Sequence, residues 1–557
     1  MSAIKRFFCE VMAVIIGFFS TCWANTVSFF DRVEFDVDTS SLSEKLPNIE
    51  SNVNIWDFNG NTFADPKKNE ENNVFDFVEY VQFMQCSGGN ADRDLFVDPY
   101  DTSVLDDYDF SNLLRNCRGV LSLGAKPLLK FGSVPMKFTE GATTDTTFGV
   151  NPYPPDDYDV YYNYIHDIAD ALVEEFGRDE VLSWRFGVMT EYENYDWFRT
   201  KDEDPQKTAE AYCKLYDYTV AALQDAIGEN VFVGAHSMSV TEGMWDEAIF
   251  IRHCAEGTNY KTGKKGTRIC YLSASFYDSE PGKFTKGYNL PETISYLKNT
   301  AESVGLDNLI YGVDEGRILS GVNSGSVGAE LNQRIVGYTY QAAYDARLIK
   351  QGFESGLDYF SSWGFLSNGL LDGNPTVSYH VAKNAAKFAG SCLAVSKKTR
   401  KGVHWGAEIS AVSAFNEEDN TLHIMGYNFR NKLKYKRNAE LEFDVKVPQL
   451  DGKTVKVTSY VIDDDCNYFD EWIEDRKTYG IEDSAFSWSP DDPAIDSPVT
   501  LKDPQARDIY FNELYDKYKE CSKLIPVEQE MQVVDGKLTL KQKLDPNAVV
   551  FFEITQA

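Results

Sequence analysis

The sequence predicts an α/β fold, a (β/α)8 TIM barrel followed by an accessory antiparallel β-sandwich domain, and three features carry that prediction. Between residues 49 and 390, short apolar runs alternate with long amphipathic helical patterns, as βα units of a parallel sheet require. Eight such runs can be counted, at 53–58, 78–84, 127–131, 182–189, 231–235, 269–276, 309–313 and 357–362, and eight strands close a barrel. After residue 390 the apolar period changes from helical to two, which is the pattern of antiparallel strands.

Residues 1–24 have the form of a signal peptide. Lys5 and Arg6 precede an apolar run over 11–19, and Cys22-Trp23-Ala24 supplies a small-residue cleavage pattern. A secreted or extracytoplasmic protein is expected. Phe19-Ser20-Thr21 before Cys22 makes a poor lipobox, so no lipid anchor is expected there. Segment 25–48 alternates over 27–37 and is expected to lend a strand to the sandwich. The barrel should span 49–390 and the sandwich 391–557. In the barrel, Tyr161, Ile165, Ile168 and Leu172 form one helical stripe that ends before Gly177, and comparable helices are expected over 208–227 and 330–349. In the sandwich, Leu441, Phe443, Val445 and Val447 alternate with charged residues, as do Val455, Val457 and Ser459.

Composition narrows the function classes. A formal charge of -33 repels phosphate backbones and anionic lipid, which argues against nucleic-acid binding, and no later segment reaches the ~20 apolar residues that a membrane helix needs. Aromatic residues make up 14% of the chain, and their planes suit both core packing and the apolar faces of sugar rings. Eight cysteines follow the leader, at 86, 117, 213, 254, 270, 392, 466 and 521. Cys254 with Cys270 is the first pair to examine for a disulfide. There is no CxxC or HExxH motif, so neither a metal site nor a cofactor is expected.

Active sites of such barrels lie at the C-terminal ends of the strands. Trp184-Arg185-Phe186-Gly187-Val188-Met189-Thr190-Glu191 places Glu191 at the end of strand four, and Tyr311-Gly312-Val313-Asp314-Glu315 places Glu315 at the end of strand seven. One glutamate at a strand end is ordinarily a solvated loop residue. A pair on strands four and seven should instead face each other across the mouth, where one carboxylate can attack an anomeric carbon while the other protonates the leaving oxygen. Burial and the neighbouring charge would raise the pKa of Glu191 as the acid, while Glu315 stays ionised as nucleophile. Glu193 is the rival to Glu191 if the strand runs two residues further. Asp314 should point away from Glu315 in a regular strand. His236, just past strand five, is placed to line the pocket. Asn194, Trp197 and Phe198 lie on the loop after Glu191, where they either contact a leaving-group sugar or pack the loop.

The sequence also resembles glycoside hydrolase family 39. The resemblance rests on Asp109-Phe110-Ser111, Gly124-Ala125-Lys126-Pro127, Phe131-Gly132-Ser133-Val134-Pro135, Phe176-Gly177-Arg178-Asp179-Glu180-Val181, Phe360-Ser361-Ser362-Trp363-Gly364-Phe365, and Tyr460-Val461-Ile462-Asp463 with Asn467, in that order. It implies a retaining hydrolase of plant or microbial poly- or oligosaccharides, with Trp363 as the aromatic floor of the cleavage subsite and Tyr277 as a hydrogen-bond partner of the nucleophile. Where the family has Asn before the acid/base, this chain has Thr190, which is shorter and cannot copy it, so the sugar 2-hydroxyl must be held differently or be substituted. Gln82, Met84 and Gln85 replace the family's Arg and His at the end of strand two, and Ser275 stands where a His is common. Two other functions fit the same residues: a catalytically weak carbohydrate-binding protein on a hydrolase barrel, and a transglycosylase.

Overall fold

The structure is a computed structural model that describes residues 31–57, 73–238, 243–277, 289–317, 339–362, 374–404, 406–430, 435–485 and 501–557. The signal peptide expected over 1–24 lies outside the described residues. The expected fold class is observed, as two sheets with separate cores.

The first strand, β1 (Arg32–Lys45), belongs to the second sheet. The barrel follows it as β2 (Asn52–Asp57), β3 (Tyr80–Gln85), β4 (Lys126–Phe131), β5 (Arg185–Val188), β6 (Phe232–Ser237), β7 (Tyr271–Tyr277), β8 (Ile310–Arg317) and β9 (Tyr359–Ser362). Each pairs in parallel with the next. The ring closes where Phe360 N–H donates to Ile49 O at 2.7 Å and Asn54 Nδ2 donates to Ser361 Oγ at 3.1 Å.

Three barrel helices combine an apolar face with a side-chain cap. Asp157 accepts from the N–H groups of Asp159 and Val160 and so starts helix Tyr158–Phe176, whose Tyr161, Ile165, Ile168 and Leu172 are all buried against the barrel. Asp204 caps helix Pro205–Ala226, and Asn289 with Glu292 forms a capping box on helix Leu290–Ser303. The helix expected over 330–349 is described from Thr339 to Ser355.

Inside the barrel, space is divided between large rings and glycines. The Arg185 guanidinium lies over the ring of Tyr80 at 3.9 Å. A Cβ on Gly234 would come 2.3 Å from the Tyr271 ring, and one on Gly312 would come 2.1 Å from that of Tyr359, so these two strands pass the rings only because they lack side chains there.

The second sheet has nine strands: β1, β10 (Cys392–Arg400), β11 (Glu408–Asn416), β12 (Thr421–Phe429), β13 (Ala439–Lys446), β14 (Thr454–Ile462), β15 (Val527–Gln532), β16 (Lys537–Leu544) and β17 (Val549–Gln556), in the order β15-β14-β17-β12-β11-β10-β1-β13-β16. β1 runs parallel to β13 and antiparallel to β10, and the other pairs are antiparallel. Phe443 of β13 packs edge-on against Phe552 of β17 at 5.7 Å, although several strands separate them in the sheet. The sheet therefore folds over on itself around one apolar core, as a sandwich does.

Two features depart from expectation. Between β14 and β15 the sandwich carries helices Phe469–Tyr479, Pro504–Ile509 and Tyr515–Cys521, with a small core of their own in which Trp472 meets Tyr510 edge-on at 5.3 Å. Cys254 and Cys270 are unbridged, as are the other six cysteines after the leader.

Candidate active site at the barrel mouth

Strand β5 ends at Val188, and the chain then turns through Met189 and Glu191, both with positive φ (62° and 43°). Left-handed backbone is uncommon for residues with a side chain and concentrates where a site demands it. Thr190, between them, donates its hydroxyl to Met84 O at 2.8 Å. Its single donor is thereby committed to the backbone at the end of β3, so Thr190 anchors the turn and has no hydrogen to offer a sugar hydroxyl.

Glu191 is 8% exposed and held at both carboxylate oxygens. Ser275 Oγ donates to Oε1 at 2.6 Å, and Asn194 Nδ2 donates to Oε2 at 2.6 Å. Burial raises its pKa, and the hydrogen bonds from Ser275 and Asn194, the charge of Lys130 and the side chain of Trp197 partly offset that rise. Trp197 is itself only 2% exposed and stacks on Phe148 with ring centres 4.3 Å apart. Both Trp197 and Phe198 are buried, and the Trp197 side chain hydrogen-bonds Glu191.

Glu193 faces another way. Its Oε1 accepts from Ser237 Oγ at 2.6 Å and from Met238 N–H at 2.7 Å, which ties this loop to the end of β6. Burial, reinforced by the charge of Glu247, pushes its pKa up to about 8.

On β8 the expected alternation fails. Ala274 pairs with Val313 but Ser275 pairs with Glu315, so Asp314 is an extra residue in the ladder, a β-bulge. Alternation from Gly312, which faces the interior, turns Asp314 into the barrel, and the extra residue keeps Glu315 on the same side in register with Ser275: Asp314 Oδ2 lies 2.7 Å from Lys130 Nζ, and neither side chain has any exposed surface. Its carbonyl accepts from Asn54 Nδ2 at 3.1 Å and Gln82 Nε2 at 3.2 Å. Burial alone would raise the Asp314 pKa, but the charge of Lys130, with His236 and the Tyr359 hydroxyl, holds it below its ordinary value.

His236 is fully buried between these groups. Its Nδ1 is 3.0 Å from Lys130 Nζ and its Nε2 is 2.9 Å from Ser275 Oγ. Burial, and then the charge of Lys130, push its pKa well down, so the ring is neutral. One donor atom from each of Glu191, His236 and Glu315 lies within 4.8 Å of the other two. That spacing would suit a metal ion, but both ring nitrogens of His236 are already engaged in hydrogen bonds.

Of the residues singled out in the sequence, the structure thus gathers Glu191, Glu315, Asn194, His236 and Trp197, with Thr190 beneath them. Tyr277 ends β7, its side chain lying outside the described residues, and Trp363 lies wholly outside them. Lys130, Ser275 and Asp314 are the additions. Lys130 had a visible signal: it is the one charged residue in the apolar run Pro127-Leu128-Leu129-Lys130-Phe131.

An eight-stranded parallel barrel that brings together glutamates from strands four and seven is a barrel of the glycoside hydrolase class. Residues 94–419 match the model of glycosyl hydrolases family 39, and the chain belongs to that family. It is 28% identical over 149 residues to a beta-xylosidase of Geobacillus stearothermophilus, a match covering 27% of this chain and 28% of that protein. It is 21% identical over 354 residues to an alpha-1,4-L-rhamnosidase of Formosa agariphila, covering 61% of this chain and 64% of the relative. The fold matches that of a monomeric beta-xylosidase from Caulobacter crescentus CB15 with a TM-score of 0.63 at 15% identity, over 94% of this chain and 99% of the other.

Proposed function

We propose that this protein is a retaining glycoside hydrolase that cleaves plant or microbial poly- or oligosaccharides by double displacement, with Glu191 as general acid/base and Glu315 as nucleophile. The observation that carries the reading is the approach of the two carboxylates to within 4.8 Å. Retaining enzymes hold the pair about 5–5.5 Å apart, whereas inverting enzymes need roughly 6.5–9.5 Å to admit a water.

In the first step a Glu315 oxygen attacks the anomeric carbon, the glycosidic C–O bond breaks, and the leaving oxygen takes the proton of Glu191. In the second, Glu191, now a carboxylate, takes a proton from water as that water attacks the same carbon and releases Glu315. Burial favours the protonated acid at the start, and the donors on its two oxygens support the anion in between. Since Thr190 donates to Met84 O, it can only accept from a sugar 2-hydroxyl, and any donor to that hydroxyl must come from another residue. The signal-like leader supports action outside the cytoplasm.

The test is incubation with 2-deoxy-2-fluoro glycosyl fluorides, a β-xylosyl and an α-L-rhamnosyl donor among them, followed by peptide mass mapping. A sugar adduct on the Glu315 peptide is expected. Sugar binding across the panel without any adduct would make the protein a carbohydrate binder instead.

A further inference from the structure

The polar groups behind Glu191 form a chain whose direction is set by its first member. Lys130 has three N–H donors and no acceptor, and besides Asp314 it reaches Met84 Sδ at 3.4 Å and His236 Nδ1 at 3.0 Å. His236 Nδ1 must therefore accept, and the ring proton sits on Nε2. That proton is donated to Ser275 Oγ at 2.9 Å, which leaves the serine hydrogen for Glu191 Oε1 at 2.6 Å. Asn194 is oriented from its far side, because its Oδ1 accepts from Asp196 N–H at 2.9 Å, so its Nδ2 faces Glu191 Oε2. Oε1 thus ends a line of donors that begins at a buried ammonium group, while Oε2 accepts from the neutral amide of Asn194. Successive hydrogen bonds in a dry interior polarise one another in one sense.

We propose that Lys130 and Asp314 are positioning residues for Glu191: the buried ion pair fixes the His236 tautomer, His236 fixes the Ser275 hydroxyl, and Ser275 makes Oε2 the oxygen that carries the catalytic proton. The proposal rests on Glu191 being the acid/base. It gives the buried carboxylate a role, since without Asp314 the Lys130 ammonium would lie inside the barrel without its counter-charge. The pair is neutral overall, so it sets direction in the relay without adding net charge beside Glu315.

The experiment uses the whole protein labelled with [15N]histidine, with the His236 signals assigned by their loss in His236→Gln. The neutral Nε2–H tautomer is expected from about pH 5 to about pH 8; an Nδ1–H tautomer or an imidazolium in that range would overturn the relay. Glu191 is then titrated by carboxyl infrared difference spectra against Glu191→Gln. Both Ser275→Ala and the charge-neutral pair Lys130→Met with Asp314→Asn should raise its midpoint by about one unit, a tenfold change in ionisation constant. If both variants leave the midpoint in place, the pair is only structural. Ser275→Ala tests the last link alone, and if the double variant does not fold, the His236 tautomer in the wild-type protein decides the question. Full turnover by Glu191→Gln would sink the acid/base assignment alone, since the tautomer is read without substrate.

Discussion

Lys130 and Asp314 face each other at 2.7 Å across the barrel interior, and neither side chain has any exposed surface. Removing one partner of a buried pair leaves the other charge uncompensated, which typically costs about 3–5 kcal/mol. Lys130→Met should lower stability by that amount in denaturant unfolding, and adding Asp314→Asn should recover most of it. Because the folded Asp314 pKa lies below its ordinary 3.8, the pair's contribution is fully present above that value and is lost as pH falls through the lower, folded one. A single variant no less stable than wild type at neutral pH would mean that the charges are not paired in solution.

Replacing Glu191 by Gln keeps its shape but removes the proton it would deliver. Natural glycans should then turn over about 10²–10⁴-fold more slowly, whereas aryl glycosides with good leaving groups, which need little protonation, should lose far less in the glycosylation step. Comparing kcat/KM on the two substrate types checks this. Equal losses on both would reassign the acid.

Glu193 provides a pH-dependent contribution of opposite sign to that of Asp314. Its folded pKa of about 8 lies above the ordinary 4.5, so the folded state binds the extra proton between these values and the stability it contributes declines as pH rises from about 4.5 to about 8. Gln can accept the same bonds from Ser237 and Met238 without ionising. The Tm of Glu193→Gln should therefore gain on wild type through that interval and level off above it. A constant difference across the interval would show that Glu193 titrates normally.

Gly312→Ala tests the crowding of the barrel interior. Its Cβ would sit 2.1 Å from Tyr359 Cζ, and the hydroxyl of that tyrosine donates to Asp314 Oδ1. Overpacking of this kind costs about 1–3 kcal/mol or more, and here it also displaces a partner of the ion pair. Thermal unfolding should register the loss; an unchanged Tm would imply that the tyrosine moves freely.

Much of this molecule is legible in its sequence because the signal is periodic. All eight barrel strands coincide with apolar runs, and the stripe from Tyr161 to Leu172 is buried as its spacing demands. Glu191 and Glu315 are visible because a barrel exposes its strand ends at one rim. What escapes is whatever breaks a period. The bulge that leaves Asp314 and Glu315 on the same side adds one residue to one strand, and no local pattern in Val313-Asp314-Glu315 announces it. The stacking of Trp197 on Phe148 joins residues 49 positions apart, which no local pattern announces. The helices after β14 are short, and the core they build from Trp472, Tyr510 and Tyr518 joins residues too far apart to form one stripe.

The placement of β1 bears on how the chain comes to be built. This strand is made before the barrel, yet it lies between Cys392–Arg400 and Ala439–Lys446, so the accessory sheet stays split until partners synthesised some hundreds of residues later emerge. Such long-range pairing is slow, and until it happens β1 is an unpaired edge with an apolar face of Val33, Phe35 and Val37. The barrel is thus enclosed between the two ends of a clasp that only the finished chain can fasten.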